Sequence, residues 1–201
     1  METCAVISER ETSEQVIAAC QRGDREAFRL LFESYKDRVY TVALYFFGGD
    51  AETAADLTQQ VFLKLFSVIG QFKHDSEFTT WLYRLATNAC LDEQRKRRRF
   101  VPFGDASEVA RRPTAGTQEE ALARDELAES VKEAVGSLRP KLRMAILLKY
   151  FEELSYEEIA AALGCSKGTV ASRLNRGHKA LAERLGHLRG TPSSRGIGFK
   201  R

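Results

Sequence analysis

The chain has 201 residues, 43% of them hydrophobic and 29% charged, with a formal net charge of +3. That length suits one or two small domains, the apolar share is ordinary for a globular protein, and so small a net charge assigns no partner by itself. Cys4, Cys20, Cys90 and Cys165 are dispersed without a CxxC pair, and His74, His178 and His187 stand at no ligand spacing from them. This pattern excludes a zinc cluster or disulfide framework and predicts reduced thiols and no cofactor.

Met1 to Thr12 is polar and lacks the apolar core of a signal peptide. The longest run without charge or glycine, Val39 to Phe47, is far short of the roughly 20 residues that span a bilayer. A cytoplasmic protein with no direct membrane insertion is expected.

Taken in order, residues 1–22 form an N-terminal segment and a first helix. Gly23 and Asp24 break the pattern, with Asp24 placed to cap the next helix. Phe28, Leu31, Phe32, Tyr35, Val39, Val42, Ala43 and Phe46 recur at steps of three and four, the signature of one apolar helix face. Gly48-Gly49-Asp50 interrupts again. A further helix is expected from about Ala51 to Ile69, with Leu57, Val61, Leu65 and Val68 in register and Gly70 as its stop. Gln71 to Glu77 reads as a loop. The helix that starts near Phe78 turns Trp81, Leu82, Leu85, Ala86 and Ala89 inward and ends in the run Arg95-Lys96-Arg97-Arg98-Arg99.

From Pro102 to about Gln118, prolines, glycines and small polar residues replace the periodic pattern, as in a linker. Glu119 to Glu133 is helix-compatible and carries six acidic residues against Arg124 and Lys132. Periodicity returns with Val131, Val135 and Leu138, stops at Arg139-Pro140, and resumes through Leu142, Ala145 and Ile146. The boundaries that follow are 23–100 for one helical module, 101–130 for a flexible linker, 131–186 for a second module and 187–201 for a disordered basic tail. No strand-like alternation occurs, so the fold class is all-α.

The segment Ser155 to Leu181 carries two short capped helices. Ser155 with Glu158 makes a capping box, Gly164 suits a tight interhelical turn, and Ser166 caps the second helix. Ala160, Gly164 and Val170 have the spacing of a DNA-binding helix-turn-helix. With Val170, Leu174 and Gly177 inward, steps of about 100° put Gly168, Ser172, Asn175, Arg176 and Lys179 outward, flanked by Lys167, Thr169 and Arg173. Arg and Asn reach base edges bidentately, and Lys and Ser bind phosphate. The competing reading is a solvated basic face with no ligand.

In the first module, Trp81 and Tyr83 accompany Arg84, Asn88 and the basic run. Aromatic faces beside cations suit single-stranded DNA, whose unstacked bases need a platform and whose phosphates need counter-charge. Trp81 as core is the alternative, given the area it buries. Five adjacent cations repel one another and are relieved by a polyanion.

The stretches AADLTQQVFLKLF, FTTWLYRLATNACLDEQRKRRR and LRPKLRMAILLKYFEELSYEEIAAALGCSKGTVASRLNRGHKAL resemble the extracytoplasmic-function sigma factors of the sigma-70 family, over about Gly23 to Leu185. The resemblance implies two helical domains, sigma domain 2 and sigma domain 4, and a role in promoter-specific transcription initiation rather than catalysis. It implies that Asp56, Leu57, Gln59, Gln60, Phe62 and Leu63 dock on the clamp helices of the largest RNA polymerase subunit. The flap of the second-largest subunit is a further implied contact. Phe72, Lys73, Asp75, Ser76, Thr79 and Thr80 match a loop that captures a flipped base of the −10 element. Trp81, Tyr83, Arg84 and Asn88 match the helix that reads and melts it, with Arg95, Arg97 and Arg98 on the backbone. Ser166, Lys167, Gly168, Thr169, Ser172, Arg173, Asn175, Arg176 and Lys179 match the helix that reads the −35 element. An anti-sigma factor is the implied regulator.

Three positions depart from the family pattern: Gln60 stands where Glu is usual, Leu82 follows Trp81 where primary sigma factors pair two tryptophans, and Ala171 replaces a frequent Arg or Lys. A stand-alone helix-turn-helix regulator is the alternative function, and would be expected to dimerise on a palindrome.

Overall fold

The computed structural model describes residues 14–100 and 119–186, and among these every regular element is helical. The expected linker before residue 119 and the basic tail lie outside the described residues. Helix α1 covers 14–21 and buries Ile17 and Cys20. Helix α2 (Arg25–Phe46) starts where Asp24 accepts hydrogen bonds from the backbone of Glu26 and Ala27. Such a cap is worth about 1 kcal/mol. Helix α3 (Ala51–Val68) is capped in the same way by Asp50, which accepts from the Thr53 amide. A single 3-10 turn over Ile69–Gln71 then spends Gly70 as the helix stop. The loop 72–77 leads to α4 (Phe78–Phe100).

The acidic segment after the linker is helical. Helix α5 (Glu119–Gly136) occupies part of the range assigned to linker by composition, and its last turns enter the core through Ala134 and Val135. Helix α6 (Pro140–Tyr150) begins at a proline whose missing N–H would have no helical partner anyway. It buries five consecutive residues, Met144 to Leu148, so it is surrounded on all sides. Helices α7 (Tyr156–Leu163) and α8 (Lys167–Arg184) follow.

Two hydrophobic clusters hold these helices. One lies within the first module: Leu31, Val39, Val61, Phe62, Leu65, Phe72, Phe78 and Leu82, with α1 closing its end. The other crosses between modules. Val42, Phe46, Leu57, Tyr83 and Cys90 of the first module pack in one cluster with Val135, Met144, Leu147, Ile159, Val170 and Leu174 of the second. The two modules are therefore in contact: α4 lies against α7, and α2 against α6. Composition shows where a chain is loosely built, but not what its ends pack against.

Candidate nucleic-acid interface

The helix-turn-helix is built by local chemistry. Ser155 accepts from the Glu158 amide, and the Glu158 carboxylate accepts from the Ser155 amide at 2.8 Å, completing the capping box. Gly164 closes α7 at φ 57, which a side chain would strain. Ser166 then accepts from the Thr169 amide at 3.2 Å and opens α8. Val170, Leu174 and Gly177 face the core; a Cβ on Gly177 would come within 2.9 Å of Ile146 Cγ1, so the close approach of α8 to α6 requires glycine here.

The opposite face of α8 is open. Ser166, Lys167, Gly168, Ser172, Asn175, Arg176 and Lys179 are exposed, and Thr169 and Arg173 are half-buried. Arg176 is held along its own helix: its Nη2 donates to Ser172 Oγ at 3.0 Å and its Nε to the Ser172 carbonyl at 3.2 Å. Arg173 Nη1 lies 3.4 Å from Cys165 Sγ, and Lys167 pairs with Glu157 across the turn. These contacts fix a row of donors on a rigid helix, the chemistry that base edges and phosphates accept.

In the first module the expected residues divide. Asp56, Gln59, Gln60 and Leu63 form an exposed strip on α3. Leu63 is 63% exposed and its neighbour Phe66 53%, with Leu30 of α2 also exposed. Phe66 meets Phe28 edge-on at 4.9 Å, so the apolar strip is braced from below. Leu57 and Phe62 do not belong to that surface. They are buried, with Phe62 edge-on to Phe32 at 4.9 Å, and they seat α3 in the core.

The loop before α4 presents Lys73, Asp75 and Ser76 to solvent, with Thr79 half-buried behind them. Phe72 and Thr80 were expected beside a base and are instead buried. Phe72 packs at 5.6 Å from Phe78 and 5.3 Å from Trp81, forming the floor of the loop. Trp81 is half-buried on this aromatic floor, so both of its readings describe part of it. Gln21 ties the loop down from α1, donating to the carbonyls of Ile69 (3.1 Å) and Phe72 (2.8 Å). No periodicity pointed to Gln21, because its partners are some fifty positions away.

On α4, Arg84 and Asn88 are exposed, as are Arg95 and Arg98. Tyr83 is a correction: its side chain is fully buried against the second module. Burial, with the Glu152 carboxylate beside it, pushes the Tyr83 phenol well above its ordinary value. Arg97 is engaged within the fold. It pairs with Asp50 at 3.1 Å and Glu93 at 3.4 Å, bonds Thr53, and stacks over Phe47. Burial acts to raise the Asp50 carboxyl, but the Thr53 and Arg97 hydrogen bonds outweigh it and hold that carboxyl below its ordinary value. Arg97 thus fastens α4 to the start of α3, with its side chain 37% exposed.

Family models match both modules: Sigma-70 region 2 over residues 31–100 and Sigma-70, region 4 over residues 128–181. The RNA polymerase sigma-H factor of Pseudomonas aeruginosa is 35% identical over 184 residues, covering 88% of this chain and 95% of that protein. The ECF RNA polymerase sigma-E factor of Escherichia coli is 35% identical over 188 residues, covering 89% and 97%. This chain belongs to the extracytoplasmic-function sigma factors of the sigma-70 family. The fold agrees. A structure of CnrH in complex with the cytosolic domain of CnrY matches with a TM-score of 0.64 at 26% identity, over 86% of this chain and 96% of that one. A structure of the sigma factor RpoE of Bartonella quintana with the anti-sigma factor NepR matches with a TM-score of 0.64 at 25% identity, over 79% and 96%.

As a sigma factor the chain directs promoter-specific transcription with RNA polymerase, and sigma factors are not enzymes. The stand-alone regulator is not favoured. Among the described residues no group of His, Cys, Asp and Glu is arranged to hold a metal, and no helix is long and apolar enough to cross a membrane.

Proposed function

We propose that the sigma factor grips its promoter at two points and its polymerase at two more, with the following division of labour. The exposed strip of Asp56, Gln59, Gln60 and Leu63 on α3 docks on the clamp helices of the largest polymerase subunit. Leu57 and Phe62 hold that strip in place from the core. Gln60 supplies a hydrogen bond where a carboxylate would supply charge. The second module meets the flap of the second-largest subunit.

Lys73, Asp75, Ser76 and Thr79 surround a flipped base of the −10 element, over the floor made by Phe72 and Thr80. Extruding that base costs a few kcal/mol, which capture offsets. Trp81 gives one stacking platform, Arg84 and Asn88 contact the melted strand, and Arg95 and Arg98 its backbone. The α8 row reads the −35 element, with Asn175 and Arg176 on base edges and Ser166, Lys167, Ser172 and Lys179 on phosphates. Gly168 lets the backbone come close, and Thr169 and Arg173 flank the contact. No bond is made or broken by the chain. It works in the cytoplasm, under an anti-sigma factor of the kind seen with its structural neighbours.

The observation that carries this reading is the open α8 face, a capped, rigid helix whose buried side is fully spent on Val170, Leu174 and Gly177 while its donor row remains free of the core. The test of the docking assignment is a pull-down with core polymerase. A chain carrying Asp56→Ala and Gln59→Ala together should keep its helical circular dichroism and lose polymerase binding. Undiminished binding would move the docking site elsewhere.

A further inference from the structure

Helix α1 ends beside the loop that leads into α4. Its last turn closes in a Schellman pattern: Gly23 stands at φ 87, its amide donates to the Cys20 carbonyl at 3.0 Å, and the Asp24 amide donates to the Ala19 carbonyl at 3.1 Å. Ile17 and Cys20 seat the helix in one cluster with Ile69, Phe72 and Phe78. The end of α1 is thus fixed in angle and in position. Gln21 is the polar side chain that it brings to the loop.

Gln21 meets carbonyls that lie past the end of α3, where no further helical turn supplies donors. The Ile69 carbonyl accepts from the Phe72 amide at 3.1 Å within the 3-10 turn. Gln21 Nε2 donates to that same carbonyl at 3.1 Å and to the Phe72 carbonyl at 2.8 Å. An amide nitrogen carries two hydrogens, and two carbonyl acceptors use both. The amide oxygen in the same place would face two other oxygens, so the chemistry fixes which end of Gln21 points at the loop.

The chain that follows Phe72 needs holding. His74 is exposed and stands at φ 59, a left-handed conformation that costs a residue with a side chain free energy unless its surroundings support it. Its ring packs 4.6 Å from that of Phe72. Lys73, Asp75 and Ser76 flank it, so in so short a loop a shift at Phe72 reaches all three.

We infer that Gln21 is a positioning residue for base capture: from α1 it fixes the Phe72 end of the loop, so that Lys73, Asp75 and Ser76 are in place before DNA arrives. This role rests on the reading of that loop as the site that captures a −10 base. Gln21 itself lies ahead of the Sigma-70 region 2 match, which begins at residue 31. A loop already ordered loses less freedom on binding, and one that is competent only part of the time shows an affinity reduced by its competent fraction. Gln21 is half-buried, so water can take its place on the two carbonyls, and Ile17 and Cys20 keep α1 seated without it.

The test uses the full chain bound to core polymerase and a −10 non-template single strand selected by the wild-type complex from a randomised pool. Affinities are measured by fluorescence anisotropy with each of the four bases placed in turn at every position. The captured position is the one whose base preference a Lys73→Ala, Ser76→Ala loop variant flattens. Gln21→Ala is expected to weaken binding of the preferred strand about five- to tenfold and to flatten preference at that same position. Affinity for core polymerase, affinity for a −35 duplex and the urea midpoint should stay unchanged. Gln21→Glu keeps the length but has no N–H to donate, and should lose as much. Gln21→Lys keeps a donor and should restore most of the preference. Full preference in Gln21→Ala and Gln21→Glu overturns the inference, and so does an equal loss in all three variants, which would give Gln21 a part in the fold alone. If Gln21→Ala loses helical circular dichroism, the contrast between Gln21→Glu and Gln21→Lys decides in the same way. A wild-type preference that the loop variant leaves untouched overturns base capture by this loop and the positioning role together. A preference lost in the loop variant but kept in every Gln21 variant overturns the positioning role alone.

Discussion

Helices α8 and α4 both carry basic and amide side chains toward solvent, yet they are presented differently. The donor row of α8 faces outward, with no helix of the described residues packed over it. On α4, Arg84 and Asn88 are open, but Tyr83 is turned into the second module and Arg97 is spent on Asp50, Thr53 and Glu93. Among the described residues one proposed recognition surface is open, and the other is partly withdrawn. The difference teaches that the two proposed grips are not independent: the module that carries α8 also covers a flank of α4.

Two experiments can break or sharpen that comparison. The larger effect is expected from Leu174→Ala. Leu174 is 1% exposed and belongs to the cluster that includes Phe46 and Tyr83 of the other module. Truncation should cost about 2–5 kcal/mol in urea unfolding. If the modules share a core, one cooperative transition should move as a whole. Two separated transitions, only one of them shifted, would mean that the modules fold apart and the contact is minor.

A smaller effect is expected from Arg176→Ala, which removes a donor from the open face without touching the core. It should lose ~1–3 kcal/mol at the −35 element within the polymerase complex and relax discrimination at one position. Equal affinity across −35 variants, before and after substitution, would remove Arg176 from base reading.

The helix-turn-helix was legible in the sequence because its signals are local. The Ser155 and Glu158 box, the left-handed Gly164 and the Ser166 cap all act within four residues, and each appears in the structure as read. The faces of α2 and α3 were legible for the same reason. What sequence could not show is which neighbour an apolar face meets. Leu57 and Phe62 lie on the helix that carries the proposed docking strip, but the motif that groups them with Asp56 and Gln59 mixes buried and exposed positions. Tyr83 was misplaced for a geometric reason. Steps of about 100° put Trp81, Arg84 and Asn88 on one side of α4 and carry Tyr83 round with Ala86, Thr87 and Cys90, all buried. Glu152 gave no signal, since a single carboxylate in a loop reads as solvated until Arg38 and Tyr83 are brought to it from more than sixty positions away.

The most direct test of this account compares how polymerase changes the two grips. Affinities of the wild-type chain for a −35 duplex and for a −10 non-template single strand are measured alone and with core polymerase present. A gain for the −10 strand at least about tenfold larger than for the −35 duplex is predicted, because of the two helices proposed to bind DNA only α4 is flanked by the other module. Equal gains for both, or strong −10 strand binding by the free chain, would contradict it.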